Sequence, residues 1–347
     1  MTALLPRLHR SSLSIIILPI LLTWHRSING HLTCRLLEGS FRYILYIAFE
    51  IVIGLSIIRQ LFKTILHFYL YSSLHIALCA IALTIFCSTF FGIGFDTSYV
   101  LFIGSSTFLT YSMHRLIGIR YSHAYLHQPR FAVVKDKQHH IMLYVAISAA
   151  YCLYLYLGFT AAMQLHLLVA GVISIAYTLP LLGNGKRLRD LSFIKIFLIA
   201  SVWSYVTIAI PLIQSAYSTE AVMYYSTMIF CFMMAITIPF DIRDLGIDKA
   251  HKVPTLASAL GVNRAKWLST CLLIIAGTMS ILDPFKGCVV SVFFVVELGF
   301  LITGYLVWKS QPTSSDYWYT GVLDGSMMLF LFIYELQKWI FYSLLGL

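Results

Sequence analysis

Apolar residues run along this chain in blocks, not in alternation. The blocks fall at 65–91, 97–119, 140–158, 162–182, 192–213, 221–240, 266–282, 286–308 and 325–346. Each approaches the ~20 apolar residues that a helix needs to cross the hydrocarbon core of a bilayer. Alternation over about 10 residues, the signature of a membrane barrel strand, is missing. Only helices and closed barrels satisfy their own backbone in lipid. The pattern therefore predicts an all-α, polytopic membrane protein of about nine transmembrane helices.

The loops between the blocks alternate in charge. Arg115, Arg120, Arg130, Lys135 and Lys137 share one loop region; Lys186, Arg187, Arg189 and Lys195 share the next basic one. Arg243, Lys249, Lys252, Arg264 and Lys266 form a third, and Lys309 marks a weaker fourth. The intervening loops hold almost no basic residues apart from Lys286. Basic loops stay on the cytoplasmic side, so the alternation sets sidedness and supports the helix count. The expected location is multi-pass in a bacterial inner membrane.

Residues 1–60 do not follow this pattern. Arg7 and Arg10 precede a run from Ser11 to Thr23 that has the shape of a signal peptide without a convincing cleavage site. The run Phe41 to Ile58 is long enough to span but carries Glu50, and an ionisable group at mid-membrane is costly unless paired. We read 1–60 as a loosely attached, amphipathic hydrophobic extension and 61–347 as the functional transmembrane domain. An extra hairpin, or an upstream stretch included in the reading frame, are the alternatives.

Composition agrees with a membrane chain: 59% of residues are hydrophobic and 11% charged, against ~25% charged in soluble domains. The net charge of +10 is loop charge, and no basic stripe suited to nucleic acid is present. Cys79, Cys87, Cys152, Cys231, Cys271 and Cys288 lie in or beside apolar blocks without a CxxC pair, as buried small hydrophobes do.

One segment carries chemistry. Asp241, Asp244 and Asp248 follow a long apolar block at spacings that put all three on one face of a helix. Like charges repel there, close to a helix C-terminus that is itself negative. A bound Mg²⁺ would relieve the repulsion, with water and a substrate phosphate completing its shell. Ion pairing with Arg243, Lys249 and Lys252 is the structural alternative.

The run Asp241-Ile-Arg-Asp-Leu-Gly-Ile-Asp248, followed by Lys252-Val-Pro-Thr-Leu-Ala-Ser-Ala-Leu-Gly261, resembles the second aspartate-rich motif of the UbiA-type membrane prenyltransferases. Tyr177-Thr-Leu-Pro180, followed by Lys186, Arg187 and Arg189, is similar to the Tyr-x-x-Pro and basic loop after that family's fourth helix. The likeness covers residues ~60–347 in layout and these two segments in motif. It implies a helical bundle around a central cavity that binds a prenyl diphosphate, or a related lipid phosphate, through Mg²⁺ and transfers the prenyl group to an acceptor. It assigns Asp241, Asp244 and Asp248 to the metal and to catalysis. Tyr177, Lys186, Arg187 and Lys252 fall to the substrate phosphates.

The sequence departs from that family at the end of the second block. The family's first aspartate-rich run has no counterpart there, because no acidic residue occurs between Asp96 and Asp136. His114 and Arg115 stand in its place as candidate phosphate contacts; the alternative for Arg115 is ordinary loop charge. His123, His127, His139 and His140 are spaced too irregularly for a metal cluster. His75 is a candidate for the cavity or for a hydrogen bond across helices. Glu297 also lies inside an apolar block, and Glu335 is placed to pair with Lys338. The function classes left are a UbiA-like prenyltransferase, a non-catalytic lipid-phosphate binder or carrier, and, more weakly, a solute transporter. The partners expected are the lipid phosphate and membrane lipid, with no nucleic acid.

Overall fold

The computed structural model describes residues 32–94, 96–121, 134–181, 187–191, 193–250, 254–285 and 290–345. Two compact units are distinguished, 1–63 and 64–347. The described part of the smaller unit is most of one helix, α1 (Leu32–Tyr71), whose residues 64–71 belong to the larger unit.

The larger unit is a ring of helices: α2 (Leu74–Phe90), α3 (Thr97–Tyr121), α4 (Gln138–Leu157), α5 (Ala161–Thr178), α6 (Ile194–Gln214), α7 (Thr219–Ala250), a short α8 (Leu256–Leu260), α9 (Val262–Ile281), α10 (Val290–Lys309) and α11. The last comprises a π-helical turn, Tyr317–Leu323, and the α-helix Asp324–Leu345. Neighbours pack in the order α2, α3, α5, α6, α7, α9, α10, α11 and back to α2, so the ring closes; α4 packs outside α3. No strand occurs among the described residues. By length and composition, α4, α5, α6, the Thr219–Gly246 part of α7 and the Tyr46–Tyr71 part of α1 can each cross a membrane. The outward faces of α4 and α5 expose Leu143, Ile147, Leu153, Leu165 and Val172, which only lipid would cover without cost. The protein is a polytopic, all-helical membrane bundle.

The first apolar block is not one helix. It breaks at Ser72 and Ser73, where Ser73 takes a left-handed φ of 73°. Hydropathy cannot see this break, since both sides are apolar. Arg115 stabilises it, its guanidinium donating to the carbonyls of Leu70 and Tyr71 at the end of α1. A cation on a helix's last carbonyls is doubly favourable, through hydrogen bonds and through the helix dipole. Phe41–Ile58 lies within α1. Residues 1–31, with the signal-like run, lie outside the described residues.

Two further devices shape the ring. The π-helical turn Tyr205–Ala209 inside α6 leaves a backbone carbonyl for Tyr99, whose hydroxyl donates to Val206 O at 2.6 Å. Lys266, 2% exposed at the start of α9, donates to Trp308 O at the end of α10 at 3.0 Å. In the interior of the bundle, Phe330 of α11 meets Phe86, Phe232 and Phe300 at ring separations of 5.4, 5.1 and 5.5 Å. Its ring lies where a Cβ on Gly299 of α10 would stand. Gly299→Ala should therefore cost about 1–3 kcal/mol by overpacking, lowering the melting temperature in detergent. Gly171→Ala in α5, with nothing within 4 Å of the new carbon, should leave it unchanged or raise it slightly.

Candidate functional site

The ring encloses a cavity of about 210 Å³ at the end that carries the basic loops. Helix α7 supplies one wall. Pro239 inside α7 cannot donate to the helical ladder, and the acidic run begins two positions later. Asp244 and Asp248 line the cavity; Asp241 does not. Asp241 is 2% exposed and turns to α6, where Lys195 Nζ lies 2.7 Å from its Oδ1. Asp244 accepts two hydrogen bonds from Arg243, each 2.9 Å. Arg243 in turn sits 4.8 Å over the ring of Phe240 and 5.6 Å from that of Tyr319.

Asp248 differs from its neighbours. Its Oδ2 is buried and has no hydrogen-bond partner among the described residues. Burial, with Asp244 and Asp241 adding repulsion, pushes its carboxyl up to about 6, while Lys195 and Arg189 pull the other way. An orphaned carboxylate oxygen at a cavity wall is where a cation fits.

The facing wall is cationic. Arg189, in the 3₁₀ turn Leu188–Asp190, hydrogen-bonds the imidazole of His114 and lies 5.5 Å from the ring centre of Tyr177. His114 and Tyr177 are 6.1 Å apart, ring to ring. Arg187, buried, and Arg115 complete that wall with Lys195. Thus five cationic residues, Arg115, Arg187, Arg189, Lys195 and Arg243, line the cavity against three acidic ones, Asp244, Asp248 and Asp324. Beyond the charges the lining is mainly apolar, with Ile76, Ile199, Val202, Met233, Ile236 and Met327 interleaved with the hydroxyls of Thr110, Ser174, Thr178, Thr237 and Thr320.

The structure thus brings together Asp244, Asp248, His114, Arg115, Tyr177 and Arg187 from the sequence-derived set and sets Asp241 behind them. Lys186 and Lys252 lie outside the described residues, as do His123 and His127. His139 and His140 are exposed on α4. His75 bonds the Tyr69 hydroxyl at 2.8 Å and packs beside Gly325, which is the cross-helix role and not a cavity role. Glu335 pairs with Lys338 at 2.8 Å. Sequence reasoning placed Arg189 in the basic-loop motif without a site role, took Lys195 only as loop charge, and missed Asp324, Tyr111 and Trp203. Their signal is weak: one acid among apolar residues and two aromatics among many.

The donor set fits one Mg²⁺ better than a self-contained metal cage. No three His, Cys, Asp or Glu groups already gather into a metal site among the described residues. Mg²⁺, however, is commonly held by only one or two carboxylates plus substrate phosphates and water. Asp244 and Asp248 meet that requirement.

No protein-family model matches the chain, and no curated protein matches it. Solved structures do. A UbiA homolog from Aeropyrum pernix K1, in apo form, superposes with a TM-score of 0.56 at 11% identity, over 76% of this chain and 97% of that one. A UbiA homolog from Archaeoglobus fulgidus bound to GPP and Mg²⁺ gives 0.53 at 14% identity, over 76% and 99%. The fold is that of the UbiA-type prenyltransferases. A digeranylgeranylglyceryl phosphate synthase adds a third match, at 0.50 and 13% identity over 79% and 98%. At these identities the likeness concerns the UbiA-type bundle, and the chemistry has to be argued from the cavity.

The Lys195–Asp241 pair yields a direct test. Its side chains are 12% and 3% exposed. Lys195→Met should destabilise the protein by about 3–5 kcal/mol, because it strands a buried carboxylate. Lys195→Met combined with Asp241→Leu should recover most of that loss in thermal unfolding.

Proposed function

We propose that the cavity binds a prenyl diphosphate, or a closely related lipid phosphate, at the cytoplasmic membrane face and that the protein transfers the prenyl group to an acceptor. The observation that carries this reading is the joining of three features in one cavity. A wall of arginines faces a pair of carboxylates, one with an orphaned buried oxygen, above an apolar floor. An isolated phosphate needs no such floor, and a hydrocarbon needs no such wall. The solved relatives bound to GPP and Mg²⁺, and to DMAPP and Mg²⁺, support the same ligand class.

The chain's residues take distinct parts. Arg187 and Arg189 offer planar forks of donors to phosphate oxygens. Held by His114 and Tyr177, Arg189 is placed before the ligand arrives, so its charge acts without reorganisation. Asp241 holds Lys195 at the rim of the same wall. Asp244 and Asp248 would hold Mg²⁺, which offsets charge on the leaving diphosphate when bound. Ionisation of the carbon–oxygen bond then proceeds against apolar residues that exclude water.

By the sequence resemblance, His114 and Arg115 stand where the UbiA-type family carries its first aspartate-rich run. We infer that cationic groups neutralise the diphosphate on that side and that a single metal ion suffices. Arg115 also holds the α1 carbonyls, so Arg189 is the cleaner probe of this idea. The same substitution favours the second reading, a binder or carrier without turnover, in which the ligand is retained and no diphosphate is released.

Titration calorimetry with geranyl diphosphate, with and without Mg²⁺, tests both. Arg189→Ala should weaken binding by about 1.5–3 kcal/mol, the range of a hydrogen bond to a charged group, in either buffer. Asp248→Asn should remove only the Mg²⁺-dependent part, and should leave the metal-free melting temperature unchanged or higher, since the buried charge is gone. Equal affinities in all three proteins would overturn the reading. Binding without diphosphate release over a panel of acceptors would select the carrier.

A further inference from the structure

Among the described residues, Asp324 is the one acidic residue lining the cavity that does not come from α7. It lies about two turns into α11, counted from Asp316, directly after the π-helical turn Tyr317–Leu323. Such turns re-aim the side chains that follow them and recur at functional sites. Asp324 makes no hydrogen bond or ion pair among the described residues; the charged groups that face it are Arg243 on α7 and Arg115 on α3. Both guanidiniums are engaged elsewhere: Arg243 holds Asp244 with two hydrogen bonds, and Arg115 holds the carbonyls ending α1. Asp324 is half-buried on the cavity wall, and a carboxylate partly withdrawn from water without a partner is costly. Its position on the cavity wall implies that a ligand supplies the missing donor.

The surroundings narrow that ligand. Thr320 stands one turn before Asp324, Met327 one turn after it, and Tyr111 and Trp203 line the same cavity with their rings 6.5 Å apart in an edge-to-face arrangement. A cationic donor would sit against Arg115 and Arg243 and be repelled. A neutral hydroxyl on an otherwise apolar molecule would not.

Building on the reading of the cavity as a prenyl-diphosphate site, we propose that Asp324 binds the acceptor, a neutral hydroxyl-bearing and mainly apolar molecule, and receives its proton. In that step an oxygen lone pair of the acceptor forms the new bond to the prenyl C1. The bond from C1 to the diphosphate oxygen breaks, and its electron pair leaves with the diphosphate. The hydroxyl proton passes to the Asp324 carboxylate and from it to water. Arg243 touches both halves of the arrangement, holding Asp244 at the metal side and facing Asp324 at the acceptor side.

The test uses the full chain in detergent, saturated with geranyl diphosphate and Mg²⁺, and titrated with hexylphenol and with hexylbenzene. The native protein should prefer the phenol by about tenfold, the worth of one hydrogen bond to a charged group. Asp324→Ala should erase the preference. Asp324→Asn, nearly the same size, should keep part of it, because the amide oxygen still accepts, and should abolish proton uptake and turnover with the diphosphate affinity unchanged. Should the alanine variant fail to fold, the asparagine variant decides by the same two readouts. A preference that is absent in the native protein, or undiminished in the folded variants, would overturn the proposal. Loss of geranyl diphosphate binding in every sample, native included, would instead refute the prenyl-diphosphate reading beneath it.

Discussion

The arrangement of the site depends on how charges are held inside an apolar bundle. Lys195 and Asp241 meet at 2.7 Å across the seam of α6 and α7, where an isolated charge of either sign would be prohibitively desolvated. Their pairing has a geometric consequence. It turns Asp241 away from the cavity and leaves Asp244 and Asp248, on the same helix, facing it. It also draws Lys195 to the rim of the cationic wall. Arg115 applies the same logic between α3 and the end of α1, and Lys266 applies it between α9 and α10. Each of these three cations has a carbonyl or carboxylate of another helix as its partner, so charges at the cavity also register the helices around it.

Much of this was legible in the sequence. Block hydrophobicity reports helices that face lipid, because it follows from local composition. The acidic run of α7 was legible because i, i+3 and i+7 spacing is a property of one helix. What the sequence could not show is what lies across from a residue. Lys195 and Arg189 look like loop charge until α6 and α3 are placed beside them. Asp324 is a single acid at the start of an apolar block, and its meaning comes only from the arginines it faces. The break at Ser72 and Ser73 is invisible to hydropathy, since the residues on both sides are apolar and only a left-handed φ separates the helices. The same limit explains why three equivalent aspartates on paper become three different groups in the fold: one paired across helices, one held by its neighbour Arg243, one with an orphaned oxygen.

A solved UbiA homolog that shares this fold is known bound to GPP and Mg²⁺ and bound to DMAPP and Mg²⁺. In the present chain one wall of the cavity is cationic. Where an acidic wall would need metal ions before it could approach a diphosphate, a wall of arginines attracts the ligand directly. A fixed guanidinium is weaker than a metal ion at polarising a leaving oxygen, but it needs no assembly and its direction is set by the protein. On the proposed reading, the cavity pairs one face suited to a metal ion with one permanently cationic face, and the diphosphate would be oriented between them.

Imaging the bound ligand tests that orientation most directly. A cryo-electron microscopy map of the full chain with geranyl diphosphate and Mg²⁺ should place the diphosphate between Arg187 and Arg189 on one side and Asp244 and Asp248 on the other. One metal density should lie on the aspartate side, and the hydrocarbon should run along Ile199, Val202 and Met233. A cavity without density at saturating ligand, or a diphosphate bound away from the arginine wall, would contradict the account.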